Sequence, residues 1–270
     1  MIKLENLVLA SPEQMKFIIQ GMQNPMTSCT KSDSYINYEV EYDDYLPWVE
    51  THHPYFRVGA GDNSLMQRLA NAGTDHRKFM RMMPVYVRIT APLYWWKEFD
   101  TYKVGTVANS CSTMHKIHEK EFDRGDFSYE HIPLGSDAYC HTWDFKTSDM
   151  FFPINVEDEI YWSSEDVLDI TIQALNHYRN KYLETKDKKY WWQMIQLLPS
   201  SYNQTRNVML NYEVLSNIYK SRKNHKLDEW KVHETPEEHK DRVKDFTSGK
   251  WGFCDWIKTL PYQELITGEE

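Results

Sequence analysis

The chain has 270 residues, of which 41% are apolar and 14% are aromatic. A chain of this length and composition can bury a sizeable core, which excludes the disordered and fibrous classes. Its formal net charge of −9 argues against a protein that coats nucleic acid or an anionic membrane. No apolar run approaches the roughly 20 residues that span a bilayer, and the first residues lack a signal-peptide pattern. We therefore expect a cytoplasmic globular protein in which any anion site is a local basic pocket.

The N-terminal third mixes strand and helix patterns. "LENLVLAS" predicts a strand, "SPEQMKFIIQGMQ" a capped helix, and the aromatic-rich segment 35–56 a strand and loop. "DNSLMQRLANAG" predicts a short helix with an Asn or Ser cap and a glycine stop at Gly73. In "MMPVYVRITAP" the alternation of Val85, Val87 and Ile89 indicates a strand with one buried face, which Pro92 ends. Aromatic residues at 95, 96, 99 and 102 then follow a helical spacing, so we predict a helix at about 92–102.

The C-terminal half is mainly helical. Residues 121–162 show no sustained period, and we expect an irregular excursion there. A helix capped by Ser163 or Ser164 is predicted over 164–185, and a second one at "KKYWWQMIQLL". Segment 202–223 places Val208, Tyr212 and Leu215 on one helical face, although asparagine is frequent in it and has poor helix propensity. We predict a helix there, a charged exposed insertion at 231–250, a closing helix at "WGFCDWIKTLPYQEL", and a single domain over 1–270.

The stretch 100–118, "DTYKVGTVANSCSTMHKIH", is the first candidate site. It concentrates small hydroxyl and amide residues with bases, directly after the apolar strand and aromatic helix. A phosphate group requires converging donors, which such side chains and the backbone of a glycine-containing loop can supply. The same composition is also typical of an ordinary capped turn that begins a helix. Both interpretations stay open from the spacing alone.

Other chemistries have little support in the sequence. His115 and His118 are three residues apart with no evident third ligand, so we expect no metal. Cys29, Cys111, Cys140 and Cys254 stand singly, and we expect reduced thiols. GxSxG, GxxxxGK[ST] and GxGxxG are all absent, so serine hydrolase, P-loop and Rossmann chemistry are not indicated. The catalytic residues stay unknown at this point.

The predicted helix 202–223 is the second candidate site. Its polar positions either form a solvated or subunit-facing surface, or bind the same anion as the first stretch. In the second interpretation the residues involved are Arg206, Asn211 and Arg222.

Together these segments resemble the flavin-dependent thymidylate synthases. That family has a strand, an "AP" step, a helix and the signature RHRxxSxNxxSxR, and later an "LP" followed by an NxR pattern and an arginine-bearing turn. The present chain has "VYVRITAP", "LYWWKEFDTYK", "VGTVANSCSTMH" and "LLPSSYNQTRNVMLNYEVLSNIYKSRKNHKLDEW" in the same order. The resemblance covers about 150 residues, and it lies in order and spacing rather than in identities.

The aligned signature has lost most of its arginines. With Pro92 as the anchor and one extra residue near Ala108, RHR falls on Thr101, Tyr102 and Lys103, while Thr106, Asn109 and Ser112 fall on Ser, Asn and Ser. The last arginine of the signature falls on Met114, and the NxR arginine falls on Glu213. Methionine donates no hydrogen bond and glutamate would repel a phosphate, so these departures bear directly on function.

The resemblance implies an α+β fold with a central antiparallel sheet, including 84–90, and flanking helices. It implies a homotetramer and the reductive methylation of dUMP, or of a related pyrimidine nucleotide, with FAD and methylene-tetrahydrofolate. Cofactor contacts are implied for Thr101, Tyr102, Lys103, Thr106 and Asn109, and substrate contacts for Ser110, Ser112, His115, Arg206, Asn211 and Arg222. The competing hypothesis is a non-catalytic protein that binds or sequesters a nucleotide, with Met114 and Glu213 as its motivation.

Overall fold

The computed structural model describes residues 2–26, 31–42, 50–132, 164–233 and 251–269. Cys29, Cys140, Ser163, and most of the predicted excursion and insertion lie outside these ranges. The strands are β1 (Lys3–Leu9), β2 (Tyr35–Tyr42), β3 (Glu50–Arg57), β4 (Pro84–Pro92), β5 (Val107–Ser110) and β6 (Asn203–Asn211). The helices are α1 (Pro12–Gln23), α2 (Ala60–Asn71), α3 (Leu93–Phe99), α4 (Thr113–Lys116), α5 (Ser164–Thr185), α6 (Lys188–Leu197), α7 (Tyr212–Arg222), α8 (Phe253–Ile257) and α9 (Glu264–Thr267).

Four of the strands form one sheet in the order β1-β4-β6-β5, and β2 pairs with β3 in a second, antiparallel sheet. β1 pairs antiparallel with β4, for example Leu4 with Ile89. The predicted strand at 84–90 is therefore confirmed, and Val85, Val87 and Ile89 all point into the core. α1 is confirmed too. Ser11 caps it through a reciprocal pair of hydrogen bonds with Gln14, the arrangement that the sequence predicts.

The prediction of one helix over 202–223 was wrong in its first half. Residues 203–211 form strand β6, and the helix begins only at Tyr212. Within β6, Gln204, Val208 and Leu210 are buried at spacings of two and four, as expected of a strand that lies between β4 and β5. Asparagine and threonine have low helix propensity, so pairing in the sheet decides the conformation.

Smaller corrections concern element ends. α3 is shorter than predicted, ending at Phe99, because a turn begins at Asp100. α2 begins at Ala60 with Gly59 at its N-cap position, earlier than the predicted Asn or Ser cap. The closing helix is two short helices, α8 and α9, separated by a turn.

The described residues divide into two compact units. The first comprises 91–97 and 110–205, and the second comprises 2–90, 98–109 and 206–270. α5 and α6 supply much of the apolar core of the first unit, and the predicted face of α5 is confirmed by the burial of Leu168, Ile172 and Leu175. In the second unit, Phe99 stacks on Trp230 and meets Phe253 edge to face. The single domain predicted from the sequence stays a prediction.

Candidate functional site

The residues assigned to ligands by the alignment belong to both units, and each unit is described by itself. The second unit holds Thr101 to Asn109 together with Arg206, Asn211 and Arg222. The first unit holds Ser110, Ser112 and His115.

Arg222 lies at the end of α7, where aromatic and acidic side chains surround it. Its Nε donates to the hydroxyl of Tyr102 at 3.0 Å, and its Nη1 pairs with the carboxylate of Glu98 at 2.5 Å. Its guanidinium also lies 5.3 Å from the ring centroid of Trp230, within the range of a cation–π contact. The structure thus brings together Tyr102 and Arg222, two of the predicted residues. The charge of Arg222 is balanced by Glu98, which also lies 3.3 Å from Nε2 of His225.

Arg206 is likewise paired with an acid. It projects from β6, and its Nη1 lies 2.7 Å from the Asp100 carboxylate at the start of the turn. Only 15% of its side chain is exposed. Neither predicted arginine is therefore a freely available cation, because Glu98 and Asp100 occupy the positions next to them. Sequence reasoning missed both acids, although Asp100 directly precedes the aligned RHR positions and Glu98 stands three residues before them.

Asn211 anchors the turn that carries the aligned signature. Its side-chain oxygen accepts from the backbone N–H of Val214 at 3.0 Å and caps α7, while its Nδ2 approaches the carbonyl of Gly105 at 3.5 Å. Gly105 has φ +80°, and an added Cβ would lie 2.9 Å from Nδ2 of Asn211. The glycine is needed for both reasons, and Asn211 positions the turn from a buried site.

The remaining aligned residues of this unit differ in what they can offer. Thr101 donates its hydroxyl to the carbonyl of Glu98 at 2.7 Å, which leaves it no second proton to donate. Lys103 and Asn109 are exposed. Within the described residues, no hydrogen bond or ion pair engages the ammonium of Lys103. The hydroxyl oxygen of Thr106 is buried without a partner in the part of the chain that the structure describes. Lys103 is thus the aligned cation best able to meet an incoming anion.

The first unit contains a cavity of about 370 Å³ beside the end of the signature. Ser112 lines it, and so do both lysines of the segment that follows, Lys116 and Lys120. The described residues that line it are Cys111, Ser112, Lys116, Ile117, Lys120, Glu121, Phe122, Asp126 and Tyr202. The described lining combines apolar and aromatic side chains with charged ones, as in pockets that hold a small molecule by a few polar groups.

Both lysines that line this cavity are paired with acids. Lys120 lies 3.0 Å from Asp123 and 2.9 Å from Asp126, and these hydrogen bonds raise its pKa. Lys116 is paired with Glu119. Burial raises the pKa of the Tyr202 phenol, so that side chain is a neutral hydrogen-bonding group at physiological pH. The cavity therefore suits a polar molecule better than a highly charged one.

Ser112 and His115 have a local structural role. The Ser112 hydroxyl accepts from the backbone N–H of His115 at 3.1 Å and caps α4, a helix of only four residues. Ser110 is exposed at the end of β5, and the side chain of Met114 lies outside the described part of the chain. For Ser112 the geometry is that of the capped turn, the second of the two interpretations left open by the sequence.

Glu213, at the aligned NxR arginine, is not a free carboxylate. It accepts from Nε of Arg77 at 3.2 Å and is bonded by Nε and Nη2 of Arg81. The hydrogen bond from Arg81, and then that from Arg77, lower its pKa. The prediction that Glu213 would repel a phosphate is corrected accordingly, because two guanidinium groups neutralise it. The sequence signal is the run "HRKFMR" at 76–81, which the alignment did not use.

This arrangement of sheet and helices defines an α+β fold, and solved structures share it along the whole chain. Thymidylate Synthase X (ThyX) from Helicobacter pylori, solved with FAD and dUMP, superposes with a TM-score of 0.51 at 14% identity, covering 100% of this chain and 98% of that one. A second complex of the same flavin-dependent enzyme gives a TM-score of 0.50 at 14% identity, with coverage of 99% and 97%. The UMP/dUMP methylase PolB from Streptomyces cacaoi gives a TM-score of 0.46 at 13% identity, with coverage of 99% and 95%.

The sequence matches no family model and no curated protein. The fold is that of flavin-dependent thymidylate synthase, so the predicted fold class is confirmed. Within the described residues, no helix is long and apolar enough to cross a membrane.

Proposed function

We propose that this protein binds a pyrimidine nucleotide, dUMP or a close relative, as a divergent thymidylate synthase-like protein. The observation that carries the proposal is a shared fold over the full chain with an enzyme solved in complex with FAD and dUMP. The aligned turn supports it, since Asn211 contacts Gly105 within the turn and Lys103 of the same turn is exposed. Fold likeness alone is compatible with several activities, so the residues must decide between them.

Two versions of this function follow from the resemblance. In the first, the protein is an enzyme that methylates the nucleotide reductively with FAD and methylene-tetrahydrofolate, as a cytoplasmic homotetramer. FAD would supply the hydride transfer, and the protein would supply binding, orientation and electrostatics. In the second, the protein binds or sequesters the nucleotide without flavin chemistry.

The residues at the implied flavin positions fit the flavin diphosphate poorly. Thr101 and Tyr102 stand where the family has Arg and His, and their hydroxyls are engaged with the Glu98 carbonyl and with Arg222. Of the three residues aligned with RHR, Lys103 alone is a cation, and one positive charge does not balance the two negative charges of a diphosphate. The positions implied for the nucleotide supply Arg206 and Arg222, each held by a carboxylate. The geometry therefore favours the second version, with a monophosphate approaching Lys103.

Two measurements on the purified protein separate the versions. We expect little flavin absorbance near about 450 nm, together with a rise in the unfolding temperature on addition of dUMP, because a ligand of the native state stabilises it by mass action. Deoxyuridine, which lacks the phosphate, is the matched control and should give a smaller rise. About one flavin per chain would favour the enzyme instead. No stabilisation by dUMP or UMP at millimolar concentration would refute both versions.

A further inference from the structure

A second cavity lies in the unit formed by 2–90, 98–109 and 206–270. Its volume is about 290 Å³, and six described chain segments meet around it: the end of β1, the start of α1, strand β3, the start of β4, the start of α7 and the turn at 261–262. Its described lining contains none of the residues that the alignment assigns to nucleotide or flavin. It is therefore independent of the proposed function.

The described lining of this cavity is uncharged and stiff. Of the twelve described residues that line it, four are prolines and four are Tyr or Phe, whereas the whole chain has 11 prolines in 270 residues. Proline fixes the backbone angle φ, so walls built from it resist collapse into the empty space. Tyrosine and phenylalanine present flat apolar faces with few rotatable bonds. Such walls keep a cavity open before a ligand arrives, which reduces the entropic cost of binding.

A strained residue forms part of the wall. Tyr262 has φ +56°, a left-handed conformation that a bulky side chain rarely adopts. The hydroxyl of Tyr212 donates to the carbonyl of Pro261 at 2.6 Å and so holds the turn that presents the Tyr262 ring. Strained backbone of this kind persists where the surrounding structure imposes it, and it concentrates at ligand sites.

We propose that this cavity binds a neutral, planar aromatic group of about two fused rings. The rings of Tyr55, Phe56, Tyr212 and Tyr262 supply the apolar faces that such a group stacks against. Among the described residues that line the cavity none carries a charge, so an anion would be desolvated against them without compensation. The volume is at the lower end of the roughly 300–1,000 Å³ of small-molecule sites, which suits one ring system rather than a dinucleotide.

The test uses 2-naphthol as the neutral probe and 2-naphthalenesulfonate as its charged counterpart, with binding followed by isothermal titration calorimetry on the full chain. Ala10→Phe fills the cavity from the end of β1, where Ala10 lines it. Val8→Phe is the matched control, because Val8 lies two residues earlier, within β1, is 56% exposed and is not among the residues that line the cavity. Tyr55→Ala is the second variant, chosen because Tyr55 is 42% exposed, and we expect the protein to fold without that ring.

We expect 2-naphthol to bind at least tenfold more tightly than the sulfonate. We also expect Ala10→Phe to weaken 2-naphthol binding at least tenfold, Val8→Phe to leave it unchanged, and Tyr55→Ala to weaken it severalfold. Should Ala10→Phe fail to fold, Tyr55→Ala and the comparison of the two probes carry the test. Equal binding of both probes, unchanged affinity in the cavity variants, or no saturable binding up to the solubility of 2-naphthol would overturn the proposal.

Discussion

Replacing Glu213 with glutamine tests how the protein tolerates a carboxylate at the aligned arginine position. The carboxylate is only 11% exposed and the Arg77 side chain is 7% exposed, so the pair is desolvated. Removing one partner of a buried pair costs about 3 to 5 kcal/mol, because the other charge is left uncompensated. Arg81 is 49% exposed, so its ion pair with Glu213 contributes about 1 kcal/mol or less to the stability of the fold. Glutamine keeps one oxygen acceptor, so we expect Glu213→Gln to lower the free energy of unfolding by about 3 kcal/mol.

Urea denaturation at pH 7 measures this change, with Glu119→Gln as the matched control. Glu119 pairs with Lys116 on the surface, where the side chains are 55% and 64% exposed, and its replacement should cost under about 1 kcal/mol. The pKa of Glu213 is lowered from its usual 4.5, so its contribution is complete above that pH and is lost as the pH falls through the folded-state pKa. The difference between wild type and Glu213→Gln should therefore shrink in acid. A loss below about 1 kcal/mol at pH 7 would refute the compensated-carboxylate interpretation.

Three further predictions follow from single side chains. Lys103→Ala should weaken dUMP binding by about 1 to 3 kcal/mol while the unfolding free energy hardly changes, since an exposed lysine contributes little to stability. Titration calorimetry measures the binding, with Lys97→Ala as the control for loss of one positive charge. Equal effects of the two variants on dUMP binding would contradict the prediction. Tyr212→Phe should lower the unfolding free energy by about 1 kcal/mol in urea denaturation, because it removes the 2.6 Å hydrogen bond to Pro261, and unchanged stability would show that the bond contributes nothing net. Iodoacetamide should label Cys111 much faster than Cys254 in native protein by peptide mass spectrometry, because Cys111 is exposed whereas burial raises the pKa of the Cys254 thiol, and equal rates would contradict the packing of α8.

Local patterns in the sequence were sufficient for several elements. The alternation of Val85, Val87 and Ile89 predicts β4 because a strand turns successive side chains to opposite faces, and the structure buries all three. Ser11 and Gln14 predict the start of α1, since a capping box acts over three residues. The order of these elements was enough to reach the correct fold class by resemblance. Each of these signals is short-range, and short-range signals are what one sequence carries most plainly.

Tertiary structure alone decided the conformation of 203–211 and the partners of the charged residues. The segment has residues at helical spacing, but its place between β4 and β5 makes it a strand, since pairing on both sides outweighs a weak helical preference. Glu213 and Arg77 are 136 positions apart, and Arg222 and Glu98 are 124 apart. Residues so far apart in the chain produce no periodic pattern that would reveal the pairing. An arginine at an aligned position is therefore interpreted as a phosphate ligand from the sequence, and only the folded structure shows the carboxylate beside it. Charge compensation depends on distance in space, and only the folded chain sets that distance.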